Sequence, residues 1–96
     1  MFIERRRLVD KFFKEVPRER VVAGYRRTVR GIRASQIRCV LIARDADDHI
    51  VCELKKLCSE RNVPFRFAGS KAEFGEWLGL DVACAVCGEA VENALF

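Results

Sequence analysis

The sequence predicts an α/β protein: a three-layer α/β/α sandwich around a four-stranded mixed sheet, folded as one domain over residues 1–96. Two observations carry this reading. Helical spacing and strand-type runs alternate along the chain in the order αβαβαβαβ, and such alternation covers a sheet with helices on both faces. The run IRCVLIA, residues 37–43, is almost continuously β-forming, the mark of a strand buried on both faces.

Each element has its own signal. Residues 3–15 place Leu8, Phe12 and Phe13 at helical spacing with charges between them, and Pro17 closes that helix. RVVAG reads as a short strand. Residues 25–34 read as a helix with Tyr25, Val29 and Ile32 on its inner side, and residues 37–43 form the second strand. In the following RDADD, Asp47 and Asp48 suit a helix start, where carboxylates cap free N–H groups and favour the dipole. That helix, about 48–61, turns Ile50, Val51, Leu54, Leu57 and Cys58 inward. VPFRFAG is the third strand, and residues 37–68 form a right-handed parallel crossover. Ser70 with Glu73 makes a capping box for a helix over 71–78, which Gly79 ends. VACAVC, residues 82–87, is the last strand, and the tail from Glu89 adds a short helix.

Composition bounds the function. Half of the residues are apolar, which is a folded composition. The longest apolar run is VACAVC, far short of the roughly 20 residues a membrane span needs. The start, MFIERRRLVDKFF, carries charges on both sides of its apolar residues and is not expected to be a signal peptide. Five cysteines scattered through apolar runs fit a reducing cytoplasm better than a disulfide framework. The net charge of +4 hides an asymmetry. Residues 1–44 hold 13 Lys/Arg against 4 Asp/Glu, a balance of +9, and residues 45–96 hold 5 against 10, a balance of −5. A basic half set against an acidic one suggests a polyanion partner, although chance surface charge would give the same totals.

Catalysis finds little support. His49 is the only histidine and stands among aspartates at a helix start, where simple exposure explains it. Asp45, Asp47 and Asp48 could be offered to magnesium, but capping accounts for at least two of them and no phosphate-cradling loop accompanies them. No serine or cysteine nucleophile has a second histidine to serve it. Cys84 and Cys87 form a CxxC without a second pair. In a strand, positions three apart point to opposite faces, so two small buried residues are expected and no metal. The expectation is a protein that is not an enzyme and has no cofactor.

The stretch AGYRRTVRGIR carries the sharper signal. At helical spacing Arg26 and Arg30 share a face, Arg27 and Arg33 flank it, and no acid occurs between residues 20 and 44. Gly24 precedes the helix, lets another backbone approach, and leaves the N–H groups of the first turn free to attract phosphate. The competing reading is an amphipathic surface helix whose arginines serve solubility.

VVAGYRRTVRGIR, VLIARDAD, LCSERNVPFRFAGSKAEFGEWLG and LDVACAV, taken in order over residues 20–88, resemble the ribosomal protein L7Ae family of kink-turn RNA binders, and within it the small bacterial ribosomal-protein-like members. The resemblance implies an α/β/α sandwich that holds RNA through two elements. One is the start of the second helix, here Gly24, Arg26, Arg27 and Arg30. The other is the loop before the last strand, here Leu80, Asp81, Val82 and Ala83, whose apolar side chains cover a flipped-out base. Lys71 matches a lysine near the phosphates, and Asp45 a usual acidic position at the end of the second strand. Where Arg26 and Arg27 stand, archaeal and eukaryotic members usually have Asn-Glu and bacterial ones often Lys-Gln. Glutamate and glutamine offer acceptors to a guanine edge, whereas arginine has five donors and no acceptor. Arg27 can still reach guanine acceptors or phosphates.

The resulting expectation is a cytoplasmic, monomeric RNA-binding protein for structured RNA, of kink-turn or ribosomal type, in the company of ribosomal proteins and away from membranes. The runner-up is a protein-interaction adaptor on the same fold that has lost kink-turn specificity. A thiol or zinc protein is the third reading.

Overall fold

Strands and helices alternate as expected in the computed structural model, which describes residues 11–92 and 94. Residues 11–15 are the described part of the first helix, α1; Leu8 and the rest of that predicted helix lie outside the described residues. A 3-10 turn, Arg18–Arg20, follows Pro17. Then come β1 (Val21–Ala23), α2 (Tyr25–Arg33), β2 (Ile37–Ile42), α3 (Asp48–Arg61), β3 (Phe65–Phe67), α4 (Lys71–Leu78) and β4 (Val86–Ala90).

The sheet order is β1-β4-β2-β3. β2 and β3 are parallel, as the crossover between them requires, and β4 enters between β1 and β2, antiparallel to both. The sheet is therefore mixed. The C-terminal ends of β1, β2 and β3 meet the N-terminal end of β4 at one end of it, and the candidate site assembles there.

Helices layer both faces. α2 packs on α3 and over β4. α1 and α4 meet through Phe13, whose ring lies edge-on to Phe74 (6.0 Å, 74°) and stacks on Trp77 (5.5 Å, 8°). Arg18 donates to the Leu78 carbonyl at 3.2 Å, which ties the turn before β1 to the last residue of α4. The core gathers Ile32, Leu54, Cys58, Phe74, Val86 and the centre of β2, all essentially closed to solvent. Burying a phenylalanine such as Phe74 contributes about 1.5–3 kcal/mol. Ile50, Val51 and Leu57 pack against this core from α3, as their spacing predicts.

β2 is buried on both faces only in its second half. Val40, Leu41 and Ile42 are enclosed, but Arg38 is exposed where an irregularity interrupts the pairing between Ile37 and Cys39. The Ser70 hydroxyl accepts the Glu73 N–H at 3.1 Å, and Gly79 ends α4 in the left-handed region, so both sequence signals for this helix are present in the fold.

Three expectations need correction. The last strand is Val86–Ala90, not 82–87, and Glu89 lies inside it instead of opening a helix. The apolar character of VACAVC reports burial and not extended pairing: Cys84 and Ala85 spend their backbone N–H and C=O on Lys71 and Ala43. Cys84 therefore precedes the strand, and alternation along a strand is not what separates it from Cys87. Lastly, Asp47 occupies the N-cap position of α3 without a side-chain cap bond; the aspartate that caps a helix is Asp45, and the helix is α4.

Candidate nucleic-acid interface

Gly24 stands between β1 and α2 with φ 95° and ψ 156°, a backbone region that a side chain disfavours. Its N–H donates to the Val86 carbonyl at 2.9 Å, which anchors the start of α2 to the first residue of β4. Space is open where a Cβ would stand. α2 begins without a side-chain cap and without an acid in its first turn. Among the described residues the first-turn N–H groups therefore have no side-chain acceptor, and the positive end of the helix dipole lies there with them.

Arg26, Arg27, Arg30 and Arg33 are all exposed on α2. Among the described residues no ion pair engages Arg26, Arg27 or Arg30. The buried side of the helix is Thr28, Gly31 and Ile32. Tyr25 and Val29, expected on that side, are only half-buried and face α3 across a groove of about 490 Å³ that Arg26, Arg30, Arg33 and Glu53 also line. The Tyr25 hydroxyl donates to the Glu53 carboxylate, and that hydrogen bond, with partial burial second, raises the phenol above its usual pKa. Arg33 lies about 10 Å from Arg26 along the helix at 1.5 Å per residue. Its carbonyl accepts the Arg61 guanidinium at 3.1 Å, so it marks the far end of the arginine face.

The loop from Leu80 to Ala83 is the second component. All four residues are exposed, and Val82, at 71 %, is the most exposed large apolar side chain described. The loop is nevertheless anchored. The Leu80 N–H donates to the Gly75 carbonyl at 2.8 Å and the Cys84 N–H to the Lys71 carbonyl at 3.0 Å. Two residues later β4 begins, at the same Val86 that receives Gly24. The arginine helix and the apolar loop are thus joined through the first residue of one strand.

Lys71 and Asp45 adjoin this arrangement. The Asp45 carboxylate accepts the Lys71 N–H at 2.8 Å, and the Lys71 ammonium lies 4.0 Å from Asp47. At the margin of the interface, Asp45 therefore satisfies an orphan donor of α4.

His49 is exposed. Cys84 and Cys87 are both buried, and burial pushes the Cys87 thiol far up. Burial first, then the neighbouring Glu89, pushes Cys39 up to about 11. Among the described residues no group of three or more His, Cys, Asp or Glu is placed to hold a metal ion. No described helix is long and apolar enough to cross a membrane. Sequence reasoning overlooked Gly75, an interior helical glycine over which the 80–83 loop passes. The available signal was a glycine placed where a helix prefers alanine.

The family model described as ribosomal protein L7Ae/L30e/S12e/Gadd45 matches residues 9–95. An RNA-binding protein of Caldanaerobacter subterraneus subsp. tengcongensis is 28% identical over 78 residues, which cover 81% of this chain and 94% of that protein. Among solved structures, the 15.5 kDa RNA-binding protein of Giardia lamblia matches with a TM-score of 0.70 at 28% identity, over 80% of this chain and 65% of that one. A protein of unknown function from Bacillus halodurans C matches with a TM-score of 0.71 at 20% identity, over 76% of this chain and 73% of that one, a likeness of fold.

Proposed function

The chain belongs to the ribosomal protein L7Ae/L30e/S12e/Gadd45 family, and from that premise we propose that it binds structured RNA of kink-turn type without catalysing a reaction. One observation carries the reading: an uncapped helix start with three arginines that no ion pair engages among the described residues, and an exposed apolar loop, are joined at a single strand end. A basic helix start alone suits any phosphate backbone. An exposed valine in the loop joined to it through Val86 suits an unpaired base, which a regular duplex does not offer. Relatives named for RNA binding support the same reading.

In this mechanism Arg26, Arg27 and Arg30 meet phosphates, the open side of Gly24 lets the RNA backbone approach the first-turn N–H groups, and Lys71 adds charge at the margin. Val82 and Leu80 cover a base that the kink turns out. RNA of this class is recognised by shape and backbone more than by base code. Ribosomal RNA in the cytoplasm is the proposed setting, with ribosomal proteins as neighbours.

The test is a titration of the purified protein against a kink-turn RNA and a straight duplex of equal length at one salt concentration. Tighter binding to the kinked RNA is expected. Equal affinities would leave only charge recognition, and no binding to either RNA would favour a protein-interaction adaptor on the same fold.

A further inference from the structure

We infer that Gly75 is a positioning residue whose missing side chain sets the apolar loop 80–83 against α4 and thereby sets the preference for kinked over straight RNA. The inference rests on the RNA-binding reading above. Gly75 lies inside α4, where glycine is disfavoured relative to alanine, and it is not among the positive-φ glycines, so its backbone conformation does not call for glycine. What calls for it is the loop. A Cβ at Gly75 would overlap the Val82 carbonyl oxygen and come within 3.3 Å of the Val82 carbonyl carbon and 3.4 Å of the Ala83 Cα. All three neighbours are backbone, so no side-chain rotation can relieve them.

The loop is pinned on both sides of this point. Leu80 donates to the Gly75 carbonyl and Cys84 to the Lys71 carbonyl, so the chain between crosses α4 at a height fixed by the bare Cα. With the Val82 carbonyl set against the helix, its side chain is left to solvent. A methyl group at residue 75 lifts that crossing. The arginine face of α2 lies on another element and keeps its geometry, so phosphate attraction and apolar cover become separable at one residue.

The experiment uses Gly75→Ala in the full chain, with two readouts. Hydrogen exchange of the Leu80 and Cys84 amides without RNA reports the loop; both are expected to exchange faster than in the unaltered protein. Affinity for a kink-turn RNA and a straight duplex reports the consequence. The ratio of the two affinities is expected to fall by about threefold to tenfold, with duplex affinity unchanged. A second variant, one glycine inserted after Asp81 with Gly75 intact, displaces the loop without touching α4. It is expected to lose the same preference, and it serves if Gly75→Ala does not fold. Unchanged exchange, or faster exchange with the preference retained, overturns the inference. If the unaltered protein shows no preference, the kink-turn reading itself fails and this inference with it, visibly before any variant is made.

Discussion

The Asp45 carboxylate accepts the backbone N–H of Lys71 at 2.8 Å and so ties the turn after β2 to the first residue of α4. A sequence-distant aspartate thus does the work of a helix cap, alongside the Ser70 hydroxyl on Glu73. Replacing a capping side chain with alanine typically costs about 1 kcal/mol. Asp45→Ala is therefore expected to lower urea-unfolding stability by about that amount, while Asp45→Asn, which keeps an acceptor oxygen, loses about half or less. Equal losses in both variants would assign the effect to charge and not to the hydrogen bond.

Salt provides an independent check on the arginine face. Log affinity for RNA is expected to fall linearly with log salt concentration, because bound arginines release counterions. Arg30→Ala is expected to reduce the slope by about 1, since it removes one phosphate contact. A flat salt response at measurable affinity would remove phosphate binding as the basis of recognition.

Stability should also respond to alkaline pH. Burial first, and then the adjacent Glu89 carboxylate, raises the Cys39 thiol from its ordinary value to about 11. Cys58, Cys87 and Tyr25 are raised as well. A group whose folded pKa is raised favours folding in its protonated form. The contribution is complete below the unfolded value and is lost as pH climbs through the folded one, so stability is expected to decline between about pH 9 and 11. Cys39→Ala should flatten part of that decline in denaturant unfolding at each pH. An identical pH profile would place the effect elsewhere.

The CxxC pair is expected to act as packing. Cys84→Ala with Cys87→Ala should cost about 1–2 kcal/mol through lost buried volume, with melting unaffected by chelator before or after the change. One equivalent of zinc retained through dialysis would overturn this.

Much of the fold was legible because its signals are local. Ser70, Glu73 and Gly79 delimit α4 within ten residues of chain, and Ile50, Leu54 and Cys58 define the inner side of α3 by spacing alone. The start of β4 was not legible. Val82 to Cys87 read as a strand because they are apolar, yet their first four residues are bound across the chain to Lys71 and Ala43 or left to solvent. Both components of the candidate interface could be read from residue types, the arginines from spacing and the loop from family likeness. Their junction at Val86 could not, because it depends on β4 entering between β1 and β2. The partner of Asp45 and the bare Cα of Gly75 were hidden for the same reason: each matters through a segment 7 to 26 residues away.

Shape recognition and charge recognition predict different pairs of numbers from two substitutions. Val82 is 71 % exposed in the loop that leads into the strand end to which Gly24 is bound, where it is free to cover an apolar group. Stacking of a base on an aromatic platform contributes roughly 1–3 kcal/mol, and an aliphatic cover contributes less. Val82→Glu is therefore expected to weaken binding to a kinked RNA by about tenfold, because it withdraws that cover and adds a negative charge near phosphate, while a straight duplex that never reaches the loop loses little. Arg30→Ala should weaken both RNAs alike, since phosphates are present in both. Four affinities at one salt concentration decide the matter. If the two substitutions lower the two affinities in the same proportion, the protein reads charge alone and the kink-turn proposal fails.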